Sequence, residues 1–267
     1  MKLIAQGRNI VVVTDKSRIN LANAELPKDT FQEMNWKQAL NHRITTESTF
    51  IGWRVPPQGQ TQGDEIFSWI KSANLNTEKI FHLSSASVYL GDQEKFSETD
   101  YDSRRKKVAM NSKQALENLV CDIGVEKGAT YVNFRISNVY GNGLTQGFIN
   151  ESINNMKVKN PITVYKDLDL IRDYLLIDDL IYAILRLWQY EELDNTLNIS
   201  TGRGVPVSEV VNKLIALGNK DMKILKIDAP ENIKSNSVLS CKRLEQIIPW
   251  SPKNLDETLK NLVFNSG

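Results

Sequence analysis

The chain has 267 residues, 41% of them hydrophobic and 24% charged, which is the usage of an ordinary globular protein with room for one large domain or two closely joined ones. Its 33 Lys and Arg nearly cancel its 32 Asp and Glu, so no bulk positive field exists to hold a polyanion by counterion release, and nucleic acid is not an expected partner. Cys121 and Cys241 belong to no Cys/His cluster, which argues against a metal site or a disulfide framework. No run approaches the roughly 18 apolar residues of a membrane span, and Gln6-Gly7-Arg8-Asn9 interrupts any signal-peptide core, so a cytoplasmic protein with buried thiols is expected.

Short β-branched runs recur at intervals long enough to hold helices. Ile10 to Val13, Thr49 to Ile51, Lys79 to Leu83 and Thr130 to Phe134 read as strands, and their near-continuous apolar character suits a parallel sheet covered on both faces. Gly63 to Ile70 and Asn111 to Val120 carry apolar residues at helical spacing between them, and Arg104-Arg105-Lys106-Lys107 reads as a solvated helix start. The βαβα order predicts a doubly wound α/β fold.

The texture changes after Tyr140-Gly141-Asn142-Gly143. Phe148 to Met156 reads as a helix, Pro161 to Tyr165 as a strand, and Asp178 to Tyr190 as an amphipathic helix. Val207 to Leu214, with Ser208 as its N-cap, and Asn254 to Val263 close the chain as helices. The expected organisation is a cofactor domain over 1–142 and a smaller mixed α/β lobe over 143–267 that holds substrate and returns a strand to the first domain.

Five motifs stand in a telling order: Phe81-His82-Leu83-Ser84-Ser85-Ala86-Ser87-Val88-Tyr89, Asn111-Ser112-Lys113, Phe134-Arg135-Ile136-Ser137-Asn138-Val139-Tyr140-Gly141, Ile171-Arg172-Asp173-Tyr174 through Leu180, and Leu197-Asn198-Ile199-Ser200-Thr201-Gly202. Together they resemble the extended short-chain dehydrogenases/reductases, the NAD-dependent nucleotide-sugar epimerase/dehydratase family, over nearly the whole chain. The resemblance implies a Rossmann-like doubly wound parallel sheet, with NAD or NADP over the strand ends and a UDP- or dTDP-sugar beside it.

Residue by residue, the resemblance implies that Ser85 hydrogen-bonds the reacting sugar oxygen and that Lys113 bonds the nicotinamide ribose. It places Ile136 and Ser137 near the nicotinamide, and gives Asn138 and Arg172 to the substrate, with Arg172 on the diphosphate. A planar, permanently charged guanidinium suits that task, although an ion pair with Asp173 or Asp178 is a competing use. Asp15, after the first readable strand, falls where the family places an acid on the adenosine ribose. Its competing reading is a turn-former, and the neighbouring Lys16 and Arg18 leave NAD against NADP open. No metal is implied. Ala86-Ser87 after Ser85 disfavours the 4,6-dehydratase branch, so a 4-epimerase or 4-ketoreductase of surface-polysaccharide or deoxysugar synthesis is the simplest expectation. A homodimer through the helix bearing Lys113 follows from the resemblance alone.

Two departures are visible. Ala109 stands four residues before Lys113, where the family has the Tyr that moves the proton, and neither Tyr101 nor the histidines His82 and His42 is an evident substitute. Gly7 is the only glycine before Gly52, so the family's first strand and Gly-rich phosphate loop are not found. Either Met1 lies downstream of the natural start or the loop was discarded. Ala109 and the missing phosphate loop both favour a second expectation, a catalytically silent member that binds a sugar nucleotide or partners an active homologue.

Overall fold

The computed structural model describes the backbone over residues 10–14, 31–35, 44–52, 75–91, 93–101, 112–166, 169–193, 195–218, 222–230 and 233–265. The helix expected over Gly63 to Ile70, the charge run at 104–107, His42, Asp15 and Ala109 lie outside the described residues.

The strands are β1 (Ile10–Thr14), β2 (Phe31–Asn35), β3 (Ile44–Gly52), β4 (Leu75–Ser85), β5 (Thr130–Ile136), β6 (Asn138–Tyr140), β7 (Ile162–Tyr165), β8 (Ile171–Arg172), β9 (Tyr174–Leu176), β10 (Thr196–Ile199), β11 (Val205–Pro206), β12 (Ile224–Ile227) and β13 (Asn236–Ser237). The described helices are α1 (Ser112–Lys127), α2 (Phe148–Lys157), α3 (Ile177–Leu187), α4 (Val207–Leu217), α5 (Lys242–Ile247) and α6 (Leu255–Asn265).

The main sheet is parallel in the order β10-β5-β4-β3, and β10 is the strand that returns from the second half of the chain. Strands β1 and β2 form a separate parallel ladder. Among the described strands, β1 pairs only with β2 and β3 only with β4. Strands β1 to β5 therefore fall into two ladders, with no described strand joining β1 to β3.

β5 shows why the main sheet is buried on both faces. Val132, Phe134 and Ile136 point into an apolar core shared with Phe81, Leu197, Ile199 and the inner face of α3. The alternate residues Tyr131, Asn133 and Arg135 point to α1, and all of them are buried. The α1 side is accordingly a polar layer, with His82 and Ser84 of β4 beside Glu117 and Asn118 of the helix. The smaller core of the second half packs Tyr140 and Tyr174 against Ile149, Val210 and Leu259 from α2, α4 and α6.

Both cysteines are buried free thiols, as expected. Ser208 is not the N-cap of α4: Pro206 occupies that position, and the Ser208 hydroxyl donates to Asp169 at 2.7 Å from inside the first turn. No described helix is long and apolar enough to cross a membrane.

Candidate functional site

Parallel register brings the two substrate residues together. β6 follows β5 after one residue, and Asn138 pairs with Tyr174 of β9, two residues beyond Arg172. The Asn138 side-chain amide donates to the Asp173 carbonyl at 3.0 Å, and Ser237, paired with Arg172 across β13 and β8, lies 3.4 Å from that amide. Asn138 and Arg172 therefore share one wall of a cleft of about 480 Å³. Phe148 and Gly147 at the start of α2 border the same cleft, as do Thr163 to Tyr165 of β7, Ile227 and Ile233.

The Arg172 guanidinium donates to the carbonyls of Lys234 at 2.8 Å and Ser235 at 3.2 Å, which aims the side chain. Asp173 is held elsewhere: its carboxylate accepts from the backbone and hydroxyl of Thr201 at 3.0 and 2.7 Å and from Gly202 N–H at 2.9 Å. Burial raises its pKa above the ordinary carboxylate range, against the pull of those donors.

Tyr174, also in the cleft wall, is a residue that sequence reasoning quoted but gave no role. Its hydroxyl is buried with no hydrogen-bond partner, and burial raises its pKa.

Ser85 ends β4, in register with Ile136. Its hydroxyl accepts from Ser87 N–H at 3.2 Å, capping a single 3-10 turn. Ile136 and Ser137 are buried beside it, and Ser137 N–H donates to the Ile199 carbonyl at 3.2 Å. Lys113 is half-buried in the first turn of α1, whose next residue, Gln114, donates to the Val88 carbonyl at 2.6 Å. Ser85 and Lys113 thus adjoin the carboxyl ends of the parallel strands but do not line the cleft that holds Asn138 and Arg172.

His82 is packed in the sheet as expected, its Nδ1 2.7 Å from Asn133 Oδ1, and burial lowers its pKa. Tyr101 is also committed to packing, with its ring 5.0 Å from the Arg135 guanidinium carbon. A second ring, Tyr89, lies 4.8 Å from the same carbon. Arg135 and Glu117 were passed over in sequence, although a charge between Phe134 and Ile136 in a buried strand required a partner.

A model of the NAD dependent epimerase/dehydratase family matches residues 62–200. The chain belongs to that family. The match begins after the region where the family's Gly-rich loop would be sought, and it contains Ser85, Lys113, Asn138 and Arg172.

The dTDP-4-dehydro-6-deoxyglucose reductase of Escherichia coli is 27% identical over 189 residues, 69% of this chain and 60% of the reductase. The aligned part therefore spans less than two thirds of that relative. Among solved structures, the UDP-glucose 4-epimerase of Thermotoga maritima with UDP-glucose superposes with a TM-score of 0.77 at 20% identity, covering 99% of this chain and 93% of that one. The UDP-glucuronic acid 4-epimerase of Bacillus cereus, in complex with UDP-glucuronic acid and NAD, gives 0.76 at 16% identity, with 99% and 94% covered. An epimerase of Methanothermobacter thermautotrophicus gives 0.79 at 15% identity, with 99% and 87% covered. At these identities the likeness establishes the Rossmann-like fold of this family member.

The donor set at the sheet end fits the nicotinamide half of such a cofactor. Ser85 offers a hydroxyl and Lys113 an ammonium at adjoining strand and helix ends. For the pyrophosphate half, the sequence before Gly52 offers no Gly-rich turn.

Proposed function

We propose that this chain binds a UDP- or dTDP-sugar together with NAD or NADP, in the manner of a 4-epimerase or 4-ketoreductase. The observation that carries this reading is the meeting of Asn138 and Arg172, from separate segments, on one wall of the cleft. Arg172 grips the diphosphate through the planar fork that its carbonyl partners hold in place, and Asn138 hydrogen-bonds the sugar or diphosphate. Asp15 is assigned to the adenosine ribose, Ser137 and Ile136 to the nicotinamide, Lys113 to its ribose and Ser85 to the sugar hydroxyl.

When bound, the nicotinamide supplies a hydride acceptor and donor. Ser85 orients the reacting hydroxyl, and the Lys113 ammonium favours an anionic oxygen nearby. Domains over 1–142 and 143–267, a cytoplasmic location, a homodimer formed through α1 and a place in surface-polysaccharide or deoxysugar synthesis complete the reading.

A second reading, a silent member that binds sugar nucleotide or partners an active homologue, is favoured by Ala109 and by the commitment of the Tyr101 ring to Arg135. Calorimetry with NAD, NADP and a panel of UDP- and dTDP-sugars separates the two. Binding of both ligands supports the enzyme, binding of sugar nucleotide alone supports the silent member, and binding of neither overturns both.

A further inference from the structure

The polar layer beneath α1 is organised around one carboxylate. Glu117 Oε1 accepts from the Ser84 hydroxyl at 2.6 Å and from Arg135 Nε at 3.0 Å, and Oε2 accepts from Arg135 Nη2 at 2.7 Å. Ser84 is the residue before Ser85, and Glu117 lies one helical turn after Lys113 on the same helix. The carboxylate therefore joins the strand end bearing Ser85 to the first turn bearing Lys113, with Arg135 as its counter-charge.

Arg135 is anchored in turn. It donates to the Tyr89 hydroxyl at 3.1 Å and the Glu98 carbonyl at 3.3 Å, and Tyr89 donates to Asn198 Oδ1 of β10 at 2.6 Å. The side chains of Glu117 and Arg135 are completely buried, so the join is shielded from water and salt.

We propose that Glu117 and Ser84 are positioning residues: their hydrogen bond ties the helix that carries Lys113 in its first turn to the strand end at Ser85, so that the two elements are set before any cofactor arrives. The inference rests on the cofactor-binding reading for its purpose but not for its geometry. A helix held to a sheet by apolar packing alone can slide by fractions of an ångström. A charge-assisted bond of fixed direction suppresses that freedom at the turn that carries Lys113.

The test uses the full chain with Ser84→Ala and its conservative partner Ser84→Thr. The first readout is the rate at which a lysine-directed acylating ester labels Lys113, followed by mass spectrometry with Lys213 as internal reference. Ser84→Ala is expected to change the Lys113 rate several-fold while leaving Lys213 unchanged, and Ser84→Thr, which keeps the hydroxyl, is expected to restore the original rate. An unchanged Lys113 rate in Ser84→Ala overturns the proposal whether or not a cofactor binds.

The second readout is titration with NADH and with UDP-glucose. Ser84→Ala is expected to weaken NADH several-fold, because the turn that carries Lys113 loses its tether to the strand, and to weaken UDP-glucose by clearly less. Equal weakening of both ligands marks a general structural role and overturns the proposal. Failure of the unaltered chain to bind NADH overturns the cofactor reading alone, since the labelling result stands apart from it.

Discussion

The Glu117 carboxylate and the Arg135 guanidinium meet at 2.7 Å with neither side chain exposed to solvent. Burial opposes the Arg135 charge, but the hydrogen bonds and charge of Glu117, helped by Tyr89, outweigh it and hold its pKa above the ordinary value. Removing one partner strands the other charge. Arg135→Met is expected to destabilise the fold by about 3–5 kcal/mol in urea unfolding, and the double variant Glu117→Met with Arg135→Met to regain at least half of that. A single variant that unfolds at the parent urea concentration contradicts this account of the polar layer.

Tyr174 carries the opposite lesson. Its buried hydroxyl has no partner, so its desolvation is uncompensated. Tyr174→Phe is expected to raise stability by about 1 kcal/mol, or roughly 2–4 °C in Tm for a chain of this size. A clear loss of stability by calorimetry contradicts it.

His82 gives the fold a pH dependence. Burial disfavours the charged ring, so the folded pKa lies below 6.5, and between those values the unfolded chain binds the extra proton. Stability is therefore fully present above 6.5 and falls as pH drops through that window, by at most about 1.4 kcal/mol per pH unit from this group. In His82→Gln the urea midpoint is expected to decline less steeply as pH falls below 6.5 than in the parent. Parallel pH profiles sink this assignment.

Much of this was legible before any coordinates. The β-branched runs at Ile10, Thr49, Lys79 and Thr130 are all strands, because β-branched and aromatic residues suit a pleated parallel ladder. Asn138 and Arg172 were readable because each sits in a recognisable segment, and the β6 to β9 register then joined them. What escaped was whatever depends on partners distant in sequence. Phe31-Gln-Glu-Met-Asn is a strand through its pairing with β1, not through its polar composition. The exposed β12 likewise exists by pairing with β7. Ser208 looks like a cap locally, but Pro206 starts the helix and Asp169 claims the hydroxyl. Ser85 and Lys113, which the resemblance gives to the sugar oxygen and the nicotinamide ribose, stand at adjoining strand and helix ends and do not line the cleft of Asn138 and Arg172, a separation that no local motif announces.

Ala109 stands four residues before Lys113, where the resemblance implies a Tyr that moves the proton. Ala109→Tyr is expected to raise the interconversion of UDP-glucose and UDP-galactose in the presence of NAD by about 10²–10⁴-fold, the usual worth of a general acid/base. Product is read by chromatography. No gain in a variant that still binds both ligands contradicts the idea that Ser85 and Lys113 remain set for chemistry.

Calorimetric titration with UDP- and dTDP-sugars reads whether Asn138 and Arg172 form one site for a sugar carried on a diphosphate. One ligand per chain is expected, with an affinity weakened about 10- to 100-fold in Arg172→Ala and Arg172→Lys recovering little of it because the planar fork is lost. Binding that survives the double variant Asn138→Ala with Arg172→Ala unchanged, or no binding by the parent to any of these sugars, would contradict it.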